Sequence, residues 1–191
     1  MNDLAFYFKE GWQHIISIDS LDHQLFIVAL TTTYLLKDRK KTLVLVTAFT
    51  IGHSLTLALS VYNIVLVNSK WVEFLIPCTI ALTAIINVVQ KNISTTNINI
   101  KYFLALLFGL IHGLGFANTI RFMLAKDQTI GWSLFGFNIG LEVGQIVIVS
   151  ALLICNYLAI NFIKIKQVNW IYFFSAITFI WAVKFALERI P

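Results

Sequence analysis

Six long apolar runs, separated by short polar segments, dominate the chain. Each run holds roughly the 20 residues that an α-helix needs to cross a lipid bilayer. The runs cover residues 21–37, 42–67, 71–90, 102–124, 132–163 and 168–187. The pattern therefore predicts an all-α fold, a polytopic transmembrane bundle with six spanning helices. The polar segments at 91–101 and 125–131 are predicted to be loops.

The N-terminal segment has a different pattern, which mixes aromatic residues with charged ones. Its apolar residues at positions 4, 8, 12, 15 and 16 fall on one face of a helix. The segment 1–20 is therefore predicted to form a short amphipathic N-terminal helix at the membrane interface. Together with a helical bundle over 21–188, it makes a single transmembrane domain that covers residues 1–191.

The composition agrees with a membrane protein and excludes an ordinary soluble domain. Of the 191 residues, 59% are hydrophobic and only 12% are charged, and the mean hydropathy is +0.83. A soluble domain carries about 25% charged residues. The net charge of +5 comes from basic residues that lie mostly between the apolar runs, so it does not indicate a nucleic-acid partner. Membrane lipid is the expected partner.

Basic residues are distributed unevenly between the two sides of the predicted bundle. The loops after the first, third and fifth runs hold eight lysine and arginine residues, and the opposite side holds six. Four of the eight lie in the first loop, at Lys37, Arg39, Lys40 and Lys41. Because cytoplasmic loops carry the excess of basic residues, both termini are predicted to be extracytoplasmic.

A few polar side chains lie within or at the ends of the apolar runs, where burial of a central charge costs roughly 2.5–3.5 kcal/mol on insertion scales. They are Asp22, His23, His53, Glu73, Asn87, His112, Asn138, Glu142 and Gln145. At about 1.5 Å per helical residue, His53 and His112 lie roughly 18–21 Å deep and Glu142 roughly 15 Å deep. Asp22, His23 and Glu73 lie at the outer rim. The residues are therefore predicted to form a polar column that ends in mid-membrane.

The chemistry of this column is imidazole plus carboxylate, a ligand set that suits nickel, cobalt, zinc, iron(II) or copper(II). The neighbouring amides and a hydroxyl are predicted to orient the ligands; these residues are Asn87, Asn138, Gln145 and Ser54. The chain contains no local CxxC or HxxxH pattern that would identify one metal. The alternative is that the histidines and amides only form hydrogen bonds between helices, and that Asp22 and Glu73 only compensate helix dipoles.

Five short motifs follow one another over residues 11 to about 150. They read G-x-x-H-I followed by D-H-x-L-F at Gly11–Ile15 and Asp22–Phe26, A-F-T-x-G-H-S-x-T-L at Ala48–Leu57, V-E at Val72 and Glu73 with Asn87, F-G-L-x-H-G-x-G-F-A at Phe108–Ala117, and F-N-x-G-x-E-x-G-Q at Phe137–Gln145. In this order they resemble the HupE/UreJ family of bacterial membrane proteins. The resemblance implies a multi-pass protein of the bacterial inner (cytoplasmic) membrane that acts as a permease or accessory protein for nickel or cobalt, tied to hydrogenase and urease. It also implies a working set of His14, Asp22, His23, His53, Glu73, His112 and Glu142.

The first functional hypothesis is therefore a small permease for a divalent transition metal, nickel, cobalt or zinc. An outer site would contain His14, Asp22, His23 and Glu73, and a mid-membrane site would contain His53, His112 and Glu142. The small size of the chain leaves a homo-oligomer open.

Two other hypotheses stay open on the sequence. The first is an intramembrane hydrolase in which histidines hold zinc and Glu142 or Asp22 acts as the general base. The second is a non-catalytic assembly protein whose polar residues join helices. Apart from the metal ion, no cofactor is predicted.

Overall fold

The fold is all-helical in a computed structural model that describes residues 3–89, 98–124 and 130–191. The predicted loops at 91–101 and 125–131 fall largely outside these ranges. Within the described residues there are seven α-helices and no strand. They are α1 (Asp3–Ile16), α2 (Leu21–Thr31), α3 (Arg39–Val61), α4 (Ser69–Val89), α5 (Ile98–Leu124), α6 (Ile130–Asn161) and α7 (Gln167–Glu188).

Five of the described helices, α3 to α7, are long and apolar enough to cross a membrane, whereas the hydropathy pattern predicts six spans. The difference lies in the first predicted span, 21–37. Its helix, α2, has 11 residues and rises only about 16 Å. The Thr31 hydroxyl donates to the carbonyl oxygen of Ile27 at 2.8 Å, and the chain leaves the helix within the run of threonines that follows. Such hydroxyl bonds compete with the regular backbone pattern.

Helix α1 packs lengthwise along the first half of α6, and does not lie apart from the bundle as a separate interfacial segment. Gly11 lies against the backbone of Phe137, and Gly140 lies against the backbone of Phe8. A Cβ atom at either glycine would meet a carbonyl oxygen of the other helix. The two backbones are therefore in direct contact, as they are at small-residue interfaces between membrane helices.

Helices α1 and α2 together follow most of the length of α6. Leu4, near the start of α1, lies over Gly136. Beyond the end of α2, the carbonyl oxygen of Tyr34 accepts a hydrogen bond from Asn156 Nδ2 at 2.9 Å. The short 3₁₀ turn Ile18–Ser20 separates α1 from α2. The chain thus runs beside α6 as two half-helices, α1 and α2, and the break between them lies beside the middle of α6.

The side chain of Gln24 closes the broken end of α1. Its Nε2 atom lies 3.0, 3.0 and 2.9 Å from the carbonyl oxygens of Ile15, Ile16 and Ser17. The last carbonyl groups of a helix have no partner within the helix, and inside a membrane there is no bulk water to replace it. Gln24 therefore supplies the donor that the break requires.

We expect Gln24→Leu to lower the free energy of unfolding by about 1 kcal/mol, since three carbonyl groups at the end of α1 would lose their donor. Thermal unfolding in detergent measures the change. Gln167→Leu is the matched control, because Gln167 donates to a single carbonyl oxygen, that of Thr33, at 3.2 Å. An unchanged unfolding temperature for Gln24→Leu would show that the break does not depend on this side chain.

Helices α3 and α5 form the second close seam of the bundle. Gly52 lies against the carbonyl oxygen of Leu106, and Gly109 lies against that of Phe49. Gly113 continues the seam against the backbone of His53. The seam therefore fixes the height at which the histidines of α3 and α5 face the break between α1 and α2.

Candidate metal centre

Three histidines from three helices converge at the break between α1 and α2. His14 lies in the last turn of α1, His23 in the first turn of α2, and His53 in the middle of α3. One ring nitrogen from each lies within 4.8 Å of the other two. The ring centroids of His14 and His23 are 4.8 Å apart, and those of His23 and His53 are 5.7 Å apart. We call these three residues the histidine cluster.

Most of the ring nitrogens in and beside the cluster have no hydrogen-bond partner among the described residues. His53 is fully buried, and neither its Nδ1 nor its Nε2 atom is bonded. The Nε2 atoms of His14 and His23 are also buried without a partner. Buried polar atoms are rarely left unpaired, because each costs about 1–3 kcal/mol. This donor set fits a metal ion of the borderline divalent class, which binds imidazole nitrogen.

Asp22 sets the orientation of the His23 ring. Its Oδ1 atom lies 3.1 Å from His23 Nδ1 and accepts a hydrogen bond from the backbone N–H of His23 at 2.9 Å. A proton on Nδ1 leaves the lone pair on Nε2, the nitrogen without a partner. Carboxylate groups hold metal-binding histidines in this way in many proteins. Asp22 therefore lies behind His23, where it orients the ring.

His112 adjoins the histidine cluster from α5. Its ring centroid lies 5.2 Å from that of His23, and its Nε2 atom lies 3.2 Å from the Thr79 hydroxyl oxygen. The His112 Nδ1 atom is buried and has no hydrogen-bond partner among the described residues. The Thr79 hydroxyl donates its one proton to the carbonyl oxygen of Ile76 at 2.7 Å, so its oxygen is the acceptor for His112 Nε2. His112 is thus anchored to α4 through one nitrogen and has the other free.

A cavity of about 230 Å³ connects the surface with His14, His23 and His112. Its lining combines buried imidazoles with charged groups near the surface. The lining residues are His14, Asp19, Ser20, Asp22, His23, Glu73, Ile76, His112, Gly115, Phe116 and Arg189. Asp19 and Glu73 are exposed, whereas His23 and His112 are buried. The cavity lies at the end of the bundle where α4 begins and α7 ends, opposite the basic segment at the start of α3.

The match to known proteins agrees with this geometry. The family model described as HupE / UreJ protein matches residues 1–189. The chain belongs to the HupE/UreJ family. This family is associated with nickel and cobalt transport or with accessory roles. Neither the search of curated proteins nor the search of solved structures gave a significant match.

The structure arranges the HupE/UreJ motif residues differently from the two-site scheme expected from their depth along the chain. His14 and His23, which were expected at an outer site with Asp22 and Glu73, lie beside His53. The reason is that α1 packs along α6 and ends beside the middle of α6, where α2 begins. Both histidines therefore lie deeper in the bundle than the start of an apolar run suggests. Glu73 lines the cavity nearer the surface.

Glu142, expected in the mid-membrane site, bonds to α3. Its Oε1 atom accepts a hydrogen bond from the Thr47 hydroxyl at 2.8 Å. On the same face of α6, Gln145 Oε1 accepts from the Thr50 hydroxyl at 2.7 Å. The Nε2 atom of Gln145 is buried and has no partner in the part of the chain that the structure describes. The three-histidine group found among the described residues does not include Glu142.

The other predicted orienting residues lie in three different places. Asn87 donates to the carbonyl oxygen of Ala29 at 2.6 Å and lines a separate cavity with Tyr34 and Lys101, so it joins α4 to α2. Asn138 lies on α6, and its buried Oδ1 atom has no partner among the described residues. Ser54 is half-buried on α3, next to His53 in the chain.

Three contributors to the site were not predicted from the sequence. Gln24 caps α1, Thr79 holds His112, and Arg189 pairs with Asp22 at 3.3 Å. The sequence offers a signal for Gln24 alone, because an amide directly after Asp22 and His23 in an apolar run is itself unusual. Thr79 and Arg189 are distant in the chain from the residues that they contact.

Proposed function

We propose that this chain is a membrane permease for a divalent transition metal ion of the nickel and cobalt class, with zinc or iron(II) as other substrates that its ligands suit. The observation that carries the proposal is the convergence of His14, His23 and His53 beside a cavity that His14 and His23 line. Their ring nitrogens include buried atoms without a partner among the described residues. In an accessory role, the same site would hold the ion for delivery to another protein and would not move it across the membrane.

The broken helix supports a transport role. We propose that α1 and α2 form the sixth crossing as a discontinuous helix, with the histidine cluster at the break. Discontinuous helices place their half-helix ends at the substrate sites of many transporters. Non-helical backbone at membrane depth is tolerated where it is buried in protein or lines a cavity. Here Gln24 supplies the donor for the carbonyl groups that the break leaves open.

The direction of access follows from charge. With the basic segment that contains Lys37 and Arg39 in the cytoplasm, the cavity opens on the extracytoplasmic side of the bacterial inner membrane. Asp19, Asp22 and Glu73 line it and attract cations. The substrate would then pass from an acidic mouth to imidazole nitrogens, which would bind it by coordination.

The ring geometry fits an ion after a small adjustment. Nitrogen atoms that share one ion at about 2.0–2.1 Å lie at most roughly 4 Å apart. The nearest ring nitrogens of the cluster lie within 4.8 Å of one another. Binding of one ion by all three nitrogens would thus require the rings to approach by about 1 Å.

The test is metal binding by purified protein together with uptake into proteoliposomes, each with nickel, cobalt and zinc. We expect saturable binding and uptake in the wild type and loss of both in His14→Ala. Gln13→Ala is the matched control, since Gln13 is exposed and adjacent on the same helix. Uptake that is equal in His14→Ala and Gln13→Ala would refute transport through the cluster.

The same experiment distinguishes the remaining functions. Binding without uptake would support the accessory role. Zinc that stays bound through dialysis and supports hydrolysis of a lipid or a peptide would support the hydrolase. Absence of binding would support a helix-joining role, although the unpartnered nitrogens of His53 form no bond between helices.

A further inference from the structure

Arg189, which directly follows α7, reaches into the cavity that leads to the histidine cluster. Its Nη1 atom lies 3.3 Å from Asp22 Oδ2. The guanidinium group lies over the ring of Phe185, 5.2 Å from the ring centroid. The Arg189 side chain is 30% exposed and that of Asp22 is 14% exposed, so the pair is only partly shielded from solvent.

The two oxygen atoms of Asp22 have different partners. Oδ1 contacts the backbone N–H and the ring of His23, whereas Oδ2 contacts Arg189. The orientation of the His23 ring therefore does not require Arg189. Removal of the guanidinium group would leave Oδ1 held in place and would leave Oδ2 available to a cation.

Arg189 is the one permanently charged basic residue among the described residues that line this cavity. The acidic residues of the lining are Asp19, Asp22 and Glu73. A divalent cation on its way to His23 is attracted by the carboxylates and repelled by the guanidinium group. The cation and Arg189 also compete for Asp22.

We infer that Arg189 is a tethered cation that competes electrostatically with the metal ion for the negative charge of Asp22, and thereby weakens binding at the histidine cluster. This inference rests on the proposed function. A permease benefits from such competition because an ion that is bound too tightly does not leave. Arg189 acts through Asp22 and is therefore a positioning residue, without direct contact with the ion.

The test is the equilibrium dissociation constant for nickel and cobalt, measured on purified full-length protein by calorimetry. We expect Arg189→Gln and Arg189→Met to lower Kd about tenfold, the size of a charge–charge interaction over several ångströms near a protein surface. Arg189→Lys retains the charge and is expected to remain near the wild-type Kd. Lys184→Gln is the control on the same helix, because Lys184 pairs with exposed Glu188 at 3.8 Å.

The decisive comparison is made in the Asp22→Asn background. If Arg189 acts through the Asp22 charge, Arg189→Gln changes Kd much less there than in the wild-type background. An unchanged or weaker Kd for both neutral Arg189 variants, with normal unfolding temperatures, would overturn the inference while the proposed function stands. Absence of metal binding in the wild type would overturn both.

Discussion

Replacement of His53 by leucine is expected to abolish metal binding and at the same time to stabilise the metal-free protein. The binding loss should exceed about a hundredfold in Kd, since even the outer partners of metal ligands are worth about 10–100-fold. His53 is fully buried with both ring nitrogens unpartnered. Because an unpaired buried polar group costs about 1–3 kcal/mol, the free energy of unfolding should rise by a similar amount.

Calorimetric titration with nickel and thermal unfolding without metal measure the two effects of His53→Leu. His112→Leu is the control, because the Nε2 atom of His112 is already bonded to Thr79. Loss of the His112 ring should therefore raise the free energy of unfolding less than loss of the His53 ring. A lower unfolding temperature in His53→Leu would mean that His53 joins helices in the metal-free protein. Wild-type nickel affinity would remove His53 from the site.

Replacement of Gly109 by alanine is expected to separate α3 from α5. The added Cβ atom would meet the carbonyl oxygen of Phe49, which is part of the α3 backbone and cannot rotate away. Overpacking in a well-filled core costs typically about 1–3 kcal/mol, and a contact with backbone lies at the upper end. The same Cβ would lie 3.1 Å from the backbone nitrogen of His53, so the histidine cluster should be displaced as well.

Gly131→Ala is the matched control for Gly109→Ala, because a Cβ atom at Gly131 meets nothing within 4 Å. Thermal unfolding in detergent and nickel affinity should both decline in Gly109→Ala and stay at wild-type values in Gly131→Ala. Equal unfolding temperatures in the two variants would show that the seam between α3 and α5 tolerates a wider spacing.

Hydropathy predicted the character of the fold well, because the requirement for roughly 20 apolar residues per crossing is local. The all-helical membrane bundle and the membership of the HupE/UreJ family are confirmed. The first predicted span, 21–37, is not confirmed as a single spanning helix, because its helix ends at Thr31. An apolar run records that a segment is buried in lipid or protein, but it does not show where the helix breaks.

For the site, the sequence identified which side chains take part, but not which of them lie next to one another. The cost of burial singled out His23, His53 and His112, since few other side chains in the apolar runs can ionise. Depth along each run placed Glu142 with His53. In the structure Glu142 bonds to Thr47, and His14 and His23 take the places beside His53. Such pairings depend on the contacts between helices, which depth along one helix does not describe.

A helical membrane protein with imidazole and carboxylate groups inside it can be predicted from the amino-acid sequence, because composition and periodicity are properties of the chain alone. That these groups meet at a break between two half-helices follows from the way the helices pack. The glycine seams bring α1 against α6 and α3 against α5, and this close packing places residues 14, 23 and 53 around one point. The packing of α7 beside α4 and α2 brings Arg189 to Asp22.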